Sequence, residues 1–392
     1  MRVTHVITRL IVGGAQENTI ASVLGLRQKP GVDVQLISGP TLGLGPEGSL
    51  ESAFDSAPDL LTCLPELIRP VHPWKDFLAL RRLTRIFREQ RPDLVHTHSG
   101  KAGVLGRLAA QRAGVPVIVH TIHGPSFGPF QGALANFVFR AAERRAGRVT
   151  THFAVVADAM RRQYLAAGIG RPEQYTKIFS GFDLKPFLTA QNDLLLRARW
   201  GIQTDDIVVG KIARLFKLKG HDDLFAVAPE LTRRCPQMKF LLVGDGGWRE
   251  RFQNLARSLG LERHFIFTGL VPPAEVPALV GIMDIVVHLS RREGLPRALP
   301  QALAAARPIV AYNCDGASEV CLDNETGFLV RPGDLTGLTD RLLRLANDAP
   351  LRAQFGERGR EFVRQNFAVE RMVDSLYTLY QKLAAERGRH NP

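Results

Sequence analysis

Residues 290–310 read SRREGLPRALPQALAAARPIV. An apolar run at 285–289 precedes them and reads as a buried strand. A short loop, Glu293-Gly294-Leu295-Pro296, then leads into a helix rich in Leu and Ala, and a second strand follows around 308–311. This order puts an acidic residue at the carboxyl end of a parallel strand, just before a helix start. Ligands of open α/β sheets bind there. The free N–H groups of a helix start favour an anion such as phosphate. Taken alone, the stretch also fits an ordinary strand–loop–helix with a surface Glu.

Outward from this point, strand and helix patterns alternate along the whole chain. Towards the C-terminus lie a turn, Asn324-Glu325-Thr326-Gly327, a short strand at 328–330 and a helical tail over 338–386. Towards the N-terminus, strands are expected at 265–267, 240–243 and 207–212. They exit into Thr268-Gly269-Leu270-Val271, Gly244-Asp245-Gly246-Gly247 and Ala213-Arg214-Leu215-Phe216-Lys217-Leu218-Lys219-Gly220. Residues 180–193 break the pattern with Gly181, Pro186 and a polar run. Before the break the alternation runs again, with strands at 3–7, 32–37, 93–98, 117–120, 152–156 and 177–179. Gly13-Gly14 opens the first helix, and Gly/Pro-rich residues 38–50 read as a mobile surface loop. Alternation of this kind implies parallel sheets covered on both faces. The fold class expected is therefore α/β, with two Rossmann-like doubly wound domains facing each other across a cleft. Their expected bounds are 1–187 and 188–370, with a terminal helix over 371–392 crossing back to the first.

Composition narrows the class. The 392 residues are 45% hydrophobic, enough for two ordinary cores. No apolar run reaches the length of a membrane span, and residues 3–7 are too short for a signal-peptide core. Cys63, Cys235, Cys314 and Cys321 form no C-x-x-C pair and read as reduced thiols of a cytoplasmic protein. The net charge is +13. Residues 1–190 hold 23 Lys and Arg against 14 Asp and Glu, which places most of the excess in the N-terminal half. Such a balance favours an acidic partner or simply solubility. No helix-turn-helix, zinc finger or RNP-like aromatic motif supports nucleic acid. A helix over 75–90 carries Leu80, Leu83 and Phe87 on one face and Arg81, Arg85 and Arg88 on another. That stripe suits an anionic membrane surface or plain solvation.

Histidines mark the strand exits of the first half. His96 and His98 share one strand face, and His96 reads as the core residue of the two. His123, followed by Gly124 and Pro125, stands at the next exit, where an imidazole can meet a hydroxyl or phosphate or pack as a structural residue.

Together these segments resemble the family 4 retaining glycosyltransferases of the GT-B fold, over nearly the whole chain. Three motifs carry the resemblance. They are Gly210, Arg214-Leu215 and Lys219-Gly220; Val243-Gly244-Asp245-Gly246 with Phe267, Gly269 and Val271; and Ser290, Glu293-Gly294, Pro296, Ala302 and Pro308, with Gly316, Glu319 and Gly327-Phe328 downstream. Gly13-Gly14 and His98 with Thr121-Ile122-His123 match in the first half. The resemblance implies a nucleotide-sugar donor, most commonly a UDP-sugar, as co-substrate. It implies no cofactor and no metal, since no D-x-D signature is present. The acceptor would be a glycan or lipid-linked molecule. Arg214 and Lys219 would stabilise charge growing on the departing diphosphate, Glu293 would face the donor sugar, and His123 would orient it. Gly13, Gly14, Gly244, Gly269, Val271, Gly294, Leu295, Pro296 and Gln301 would line the donor. Gln16, His98 and Lys101 would meet the acceptor, which borders Gly13-Gly14. Attack would come from the face the diphosphate leaves, with a donor phosphate oxygen as base.

Two positions depart from the family pattern. Gln301 stands where a second Glu usually grips the ribose, keeping an acceptor but losing the charge. Ala306 stands where Gly is usual. A binding protein that has lost transfer, or an epimerase of the same fold, are the alternatives; the Arg214–Lys219 segment matches the epimerase poorly.

Overall fold

The computed structural model describes residues 1–41, 48–128 and 130–388. Residues 42–47 of the glycine-rich loop expected at 38–50 lie outside the described residues. The chain divides into two compact units, Met1–Phe182 with Val369–Pro392, and Asp183–Ala368.

The first unit contains strands β1 (Arg2–Ile7), β2 (Asp33–Ser38), β3 (Leu61–Cys63), β4 (Leu94–His98), β5 (Val117–Ile122), β6 (His152–Val155) and β7 (Tyr175–Lys177). Its helices are α1 (Gly14–Arg27), α2 (Pro73–Gln90), α3 (Gly100–Ala113), α4 (Ala133–Gly147) and α5 (Asp158–Ala166). All neighbouring strands pair parallel, in the order β3-β2-β1-β4-β5-β6-β7. The order reverses between β1 and β4, which makes their carboxyl ends a switch point. Three-residue β3 is too short to show a period in sequence. β7 lies two residues earlier than the expected 177–179.

The second unit repeats the plan. Short helices α6 (Lys185–Leu188) and α7 (Leu194–Arg199) precede strands β8 (Ile207–Ile212), β9 (Met238–Val243), β10 (Phe265–Gly269), β11 (Ile285–His288), β12 (Ile309–Tyr312) and β13 (Gly327–Val330). Between and after them run α8 (His221–Arg234), α9 (Arg249–Ser258), α10 (Val276–Gly281), α11 (Ala298–Ala304), α12 (Leu335–Asn347) and α13 (Ala349–Asn366). The parallel order is β10-β9-β8-β11-β12-β13, with its switch point between β8 and β11. Phe225, Phe240, Phe252 and Phe265 stack in its core.

The changeovers between units fall a few residues before those expected at 187/188 and 370/371. Phe187 is buried, and α6 packs on α10 and α11, so 183–187 belong to the second unit. The last helix, α14 (Val369–Gly388), packs on α1. Met372, Val373, Leu376, Leu379, Tyr380 and Leu383 recur at helical spacing and complete the core beneath β1 and β2. The helices meet closely: a Cβ on Gly25 would lie 2.4 Å from Val373.

Candidate active site

In the second unit the expected donor residues follow the carboxyl ends of adjacent strands. Arg214 and Lys219 follow β8, Gly244 follows β9, Gly269 ends β10 with Val271 just beyond, and Glu293-Gly294-Leu295-Pro296 follow β11. The loop after β8 is pinned by its backbone, with Leu215 N–H donating to Asp245 O at 2.9 Å and Leu215 itself buried. Arg291 N–H donates to Leu218 O at 2.9 Å and ties this loop to the one after β11. Gly220 has φ +68, and a Cβ there would fall 2.0 Å from Leu289 O, so only glycine fits.

That geometry brings Lys219 to Glu293: the lysine ammonium donates to the carboxylate. Both side chains are about three-quarters buried. Burial alone would raise the Glu293 carboxyl, but Lys219 and His288 outweigh it and hold it below the usual range. Glu293 N–H donates to Asp315 Oδ2 at 2.7 Å, and Gly316 N–H donates to Gly294 O at 3.0 Å. The Glu293 loop is thus latched from the turn after β12. Gly294 and Pro296 are buried and Leu295 half-buried. Arg214 is exposed, and Gln301 is half-buried on α11.

Gly244 and Gly269 hold each other. Gly244 N–H donates to Gly269 O at 3.2 Å, and a Cβ on Gly244 would lie 2.4 Å from Ala213 O. Their conformations, φ +131 and φ +73, bring three loops of this edge together. Leu270, next to half-buried Val271, is exposed.

Sequence reading missed Lys211 and His288 behind the pair. Lys211 is fully buried on β8, its ammonium has no hydrogen-bond partner among the described residues, and burial, helped by Lys219, pushes its pKa down to about 7. His288 Nε2 lies 4.0 Å from Glu293 Oε1, and burial pushes its imidazole down to about 3. A charged residue in the middle of a strand, in Val208-Val209-Gly210-Lys211, was the available signal for Lys211.

In the first unit, half-buried His123 stands just past β5, with His98 Nδ1 at 3.0 Å from its Nε2. His98, expected at the acceptor, is fully buried between His5 and His123, as deeply as His96. Gly13 precedes α1, Gly14 opens it, and Gln16 is half-buried in its first turn. Lys101 is engaged by Asp76 at 2.5 Å and by the Pro70 carbonyl, so it anchors α3 to α2. Thr8 Oγ1 accepts from Ala102 N–H at 3.2 Å and caps α3.

Two doubly wound units, one with a cation–carboxylate pair at its switch point, are the architecture of the GT-B type. Residues 193–362 match the model described as Glycosyl transferases group 1, and residues 13–178 match the Glycosyl transferase 4-like domain. A GDP-mannose-dependent alpha-(1-6)-phosphatidylinositol monomannoside mannosyltransferase of Mycolicibacterium smegmatis is 30% identical, over 73% of this chain and 75% of its own. The UDP-Gal:alpha-D-GlcNAc-diphosphoundecaprenol alpha-1,3-galactosyltransferase of Escherichia coli is 27% identical, over 81% and 82%. In structure, Anabaena Alr3699/HepE, solved in complex with UDP, superposes with a TM-score of 0.82 at 23% identity, covering 97% of this chain and all of that one. The chain belongs to the group 1 glycosyltransferases, enzymes that use nucleotide-sugar donors.

Proposed function

We propose that this protein is a retaining glycosyltransferase that moves a sugar from a UDP-sugar to a lipid-linked acceptor at an anionic membrane surface, without a metal ion. The observation that carries the reading is the Lys219–Glu293 pair at the switch point of the second sheet, with Arg214 in the same loop.

Loss of a nucleoside diphosphate builds negative charge on the leaving phosphates, and preorganised cations stabilise it directly. Arg214 supplies a bidentate grip and Lys219 a point charge, together serving the role a metal would otherwise fill. Glu293 is ionised, and it turns to the sugar when the diphosphate engages Lys219. Retention follows attack on the face the diphosphate leaves, with a donor phosphate oxygen taking the acceptor proton. His123 offers its outer nitrogen to a substrate hydroxyl, and Gln301 holds the ribose through its amide. UDP is favoured by the donor named for the Escherichia coli relative; GDP, named for the mannosyltransferase, is the alternative.

The lipid-linked acceptor rests on the first unit's surface. Leu134, Phe137 and Val138 of α4 are exposed, as are Trp74 and Phe77 of α2. Arg140, Arg144 and Arg145 follow on α4 and Arg148 just past its end, and a cavity of about 500 Å³ is lined by Arg144, Arg148 and Arg171. Apolar side chains beside a run of arginines suit the headgroup region of an anionic bilayer. Among the described residues no helix is long and apolar enough to cross a membrane.

The test is thermal stabilisation by UDP, GDP and ADP in EDTA, followed by transfer assays on the wild type and Arg214→Ala. A ligand bound only by the folded state must raise the melting temperature. A selective shift with UDP, and loss of transfer in the variant, is the expected result. Near-normal transfer by Arg214→Ala overturns the mechanism. Selective binding without turnover would instead favour a nucleotide-sugar-binding protein, the reading that Gln301 allows.

A further inference from the structure

A line of hydrogen-bonded imidazoles runs behind His123. His123 Nε2 lies 3.0 Å from His98 Nδ1, His98 Nε2 lies 2.9 Å from His5 Nδ1, and His5 Nε2 lies 3.4 Å from the Tyr380 hydroxyl. The same hydroxyl meets His96 Nδ1, and His96 Nε2 lies 2.6 Å from Thr121 Oγ1. His5, His96, His98 and Tyr380 are all fully buried. Burial depresses all four imidazoles, those of His5 and His123 to about 3, so each ring is neutral near pH 7.

A neutral imidazole has one N–H and one lone pair, and a phenol has one proton. Each link therefore dictates the next, and the line has only two ordered arrangements. If Tyr380 donates to His96, it accepts from His5 Nε2–H; His98 and His123 follow as Nε2–H donors, and His123 Nδ1 is left as an acceptor. If Tyr380 donates to His5, every ring reverses and His123 Nδ1 carries the proton. His96 is the nearer of the two bases to the hydroxyl, and Thr121 Oγ1 can take the His96 Nε2–H that this choice requires.

We propose that Tyr380, on the returning helix α14, is a positioning residue that holds His123 in its Nε2–H tautomer through His5 and His98, so that His123 Nδ1 accepts a hydrogen bond from a substrate hydroxyl. This rests on the reading of His123 as a substrate contact. One ring nitrogen from each of His5, His96 and His98 also lies within 4.8 Å of the other two. A divalent ion held there would take the lone pairs the line uses, so the two arrangements exclude each other.

The experiment uses the full chain with ¹⁵N-labelled histidine and long-range ¹H–¹⁵N correlation, beside kinetics of the wild type, Tyr380→Phe and Leu383→Ala. Leu383 is a buried neighbour on α14 outside the line. The expected wild-type result is Nε2–H at His5, His96, His98 and His123. Tyr380→Phe mixes the tautomers of His123 and lowers kcat about tenfold with donor KM unchanged. Leu383→Ala lowers the melting temperature but keeps tautomers and kcat. Nδ1–H at His123 in the wild type, an unchanged His123 signal in Tyr380→Phe, or one equivalent of zinc in the purified protein overturns the proposal. If the tautomers respond as expected but kcat does not, the line stands and His123 is not the substrate contact.

Discussion

Lys219 and Glu293, 74 positions apart in sequence, are ion-paired at the switch point of the second sheet. The pair sets the lysine charge against a carboxylate. On the proposed reading a donor diphosphate would compete with Glu293 for Lys219, and removing the carboxylate charge would remove that competition. Glu293→Gln is therefore expected to bind UDP at least as tightly as wild type, read as an equal or larger rise in melting temperature. Transfer should nevertheless fall by about 10²-fold, the scale of losing one electrostatic contact to the transition state. Because the carboxyl is held below its usual range, the pair's stabilisation is present above that range and lost as pH falls through the depressed value. Wild-type turnover in Glu293→Gln would remove Glu293 from the mechanism.

Lys211 gives a pH dependence of the same sign in a higher window, and there it marks a cost rather than a gain. Its folded pKa of about 7 lies below the ordinary lysine value, because burial disfavours the ammonium. Between those two values the unfolded chain holds a proton that the folded one does not, so this residue makes stability rise with pH. Its full cost is felt below pH 7 and fades towards pH 10. Lys211→Met is expected to raise the melting temperature at pH 6.5 and to lose most of that gain by pH 10. A gain that is the same at both pH values would show that Lys211 is paired and charged in the folded protein.

Much of this architecture is legible in the sequence because it is local. Apolar runs ending in Gly, Asp or Arg mark β8, β9 and β11, and their exits are the site edge. What is not legible depends on pairing across long separations. His5 sits in an ordinary strand pattern, and only the return of α14 sets Tyr380 against it. Asp315 belongs to none of the motifs, and only the fold brings its carboxylate to Glu293 N–H. Gly244 and Gly269 are visible as glycines of the motif, but their reason is the backbone approach between loops, which no spacing reveals.

Ala306 is a case where a departure from a family pattern has a measurable consequence. Its φ is +54, in the left-handed region. The turn is held from outside, since a Cβ on Gly356 of α13 would fall 2.1 Å from Ala306 O, so the two backbones touch. The residue cannot relax without unpacking α13. Ala306→Gly is expected to stabilise the protein by about 1 kcal/mol, the cost of an L-residue in this conformation. Urea unfolding of the two proteins would check it, and an unchanged or lower midpoint would mean that the loss of alanine's chain stiffness outweighs the relief.

The surface of α4 gives the membrane reading its own test. Leu134 and Phe137 are 77% and 72% exposed, more than packing within one chain explains, with Arg145 on the same helix and Arg148 just past its end. Each basic residue near an anionic surface contributes about 1 kcal/mol, and this share is screened by salt. The apolar share is not screened. Arg145→Glu with Arg148→Glu should therefore weaken sedimentation with phosphatidylglycerol vesicles at low salt by about 10-fold or more. Leu134→Ser with Phe137→Ser should weaken it at low and high salt alike. Neither pair touches the strand exits, so UDP-induced stabilisation should stay at its wild-type value in both. Wild-type protein that ignores the vesicles at low salt while glycosylating a soluble acceptor would place the acceptor in solution and leave the exposed face of α4 to another partner.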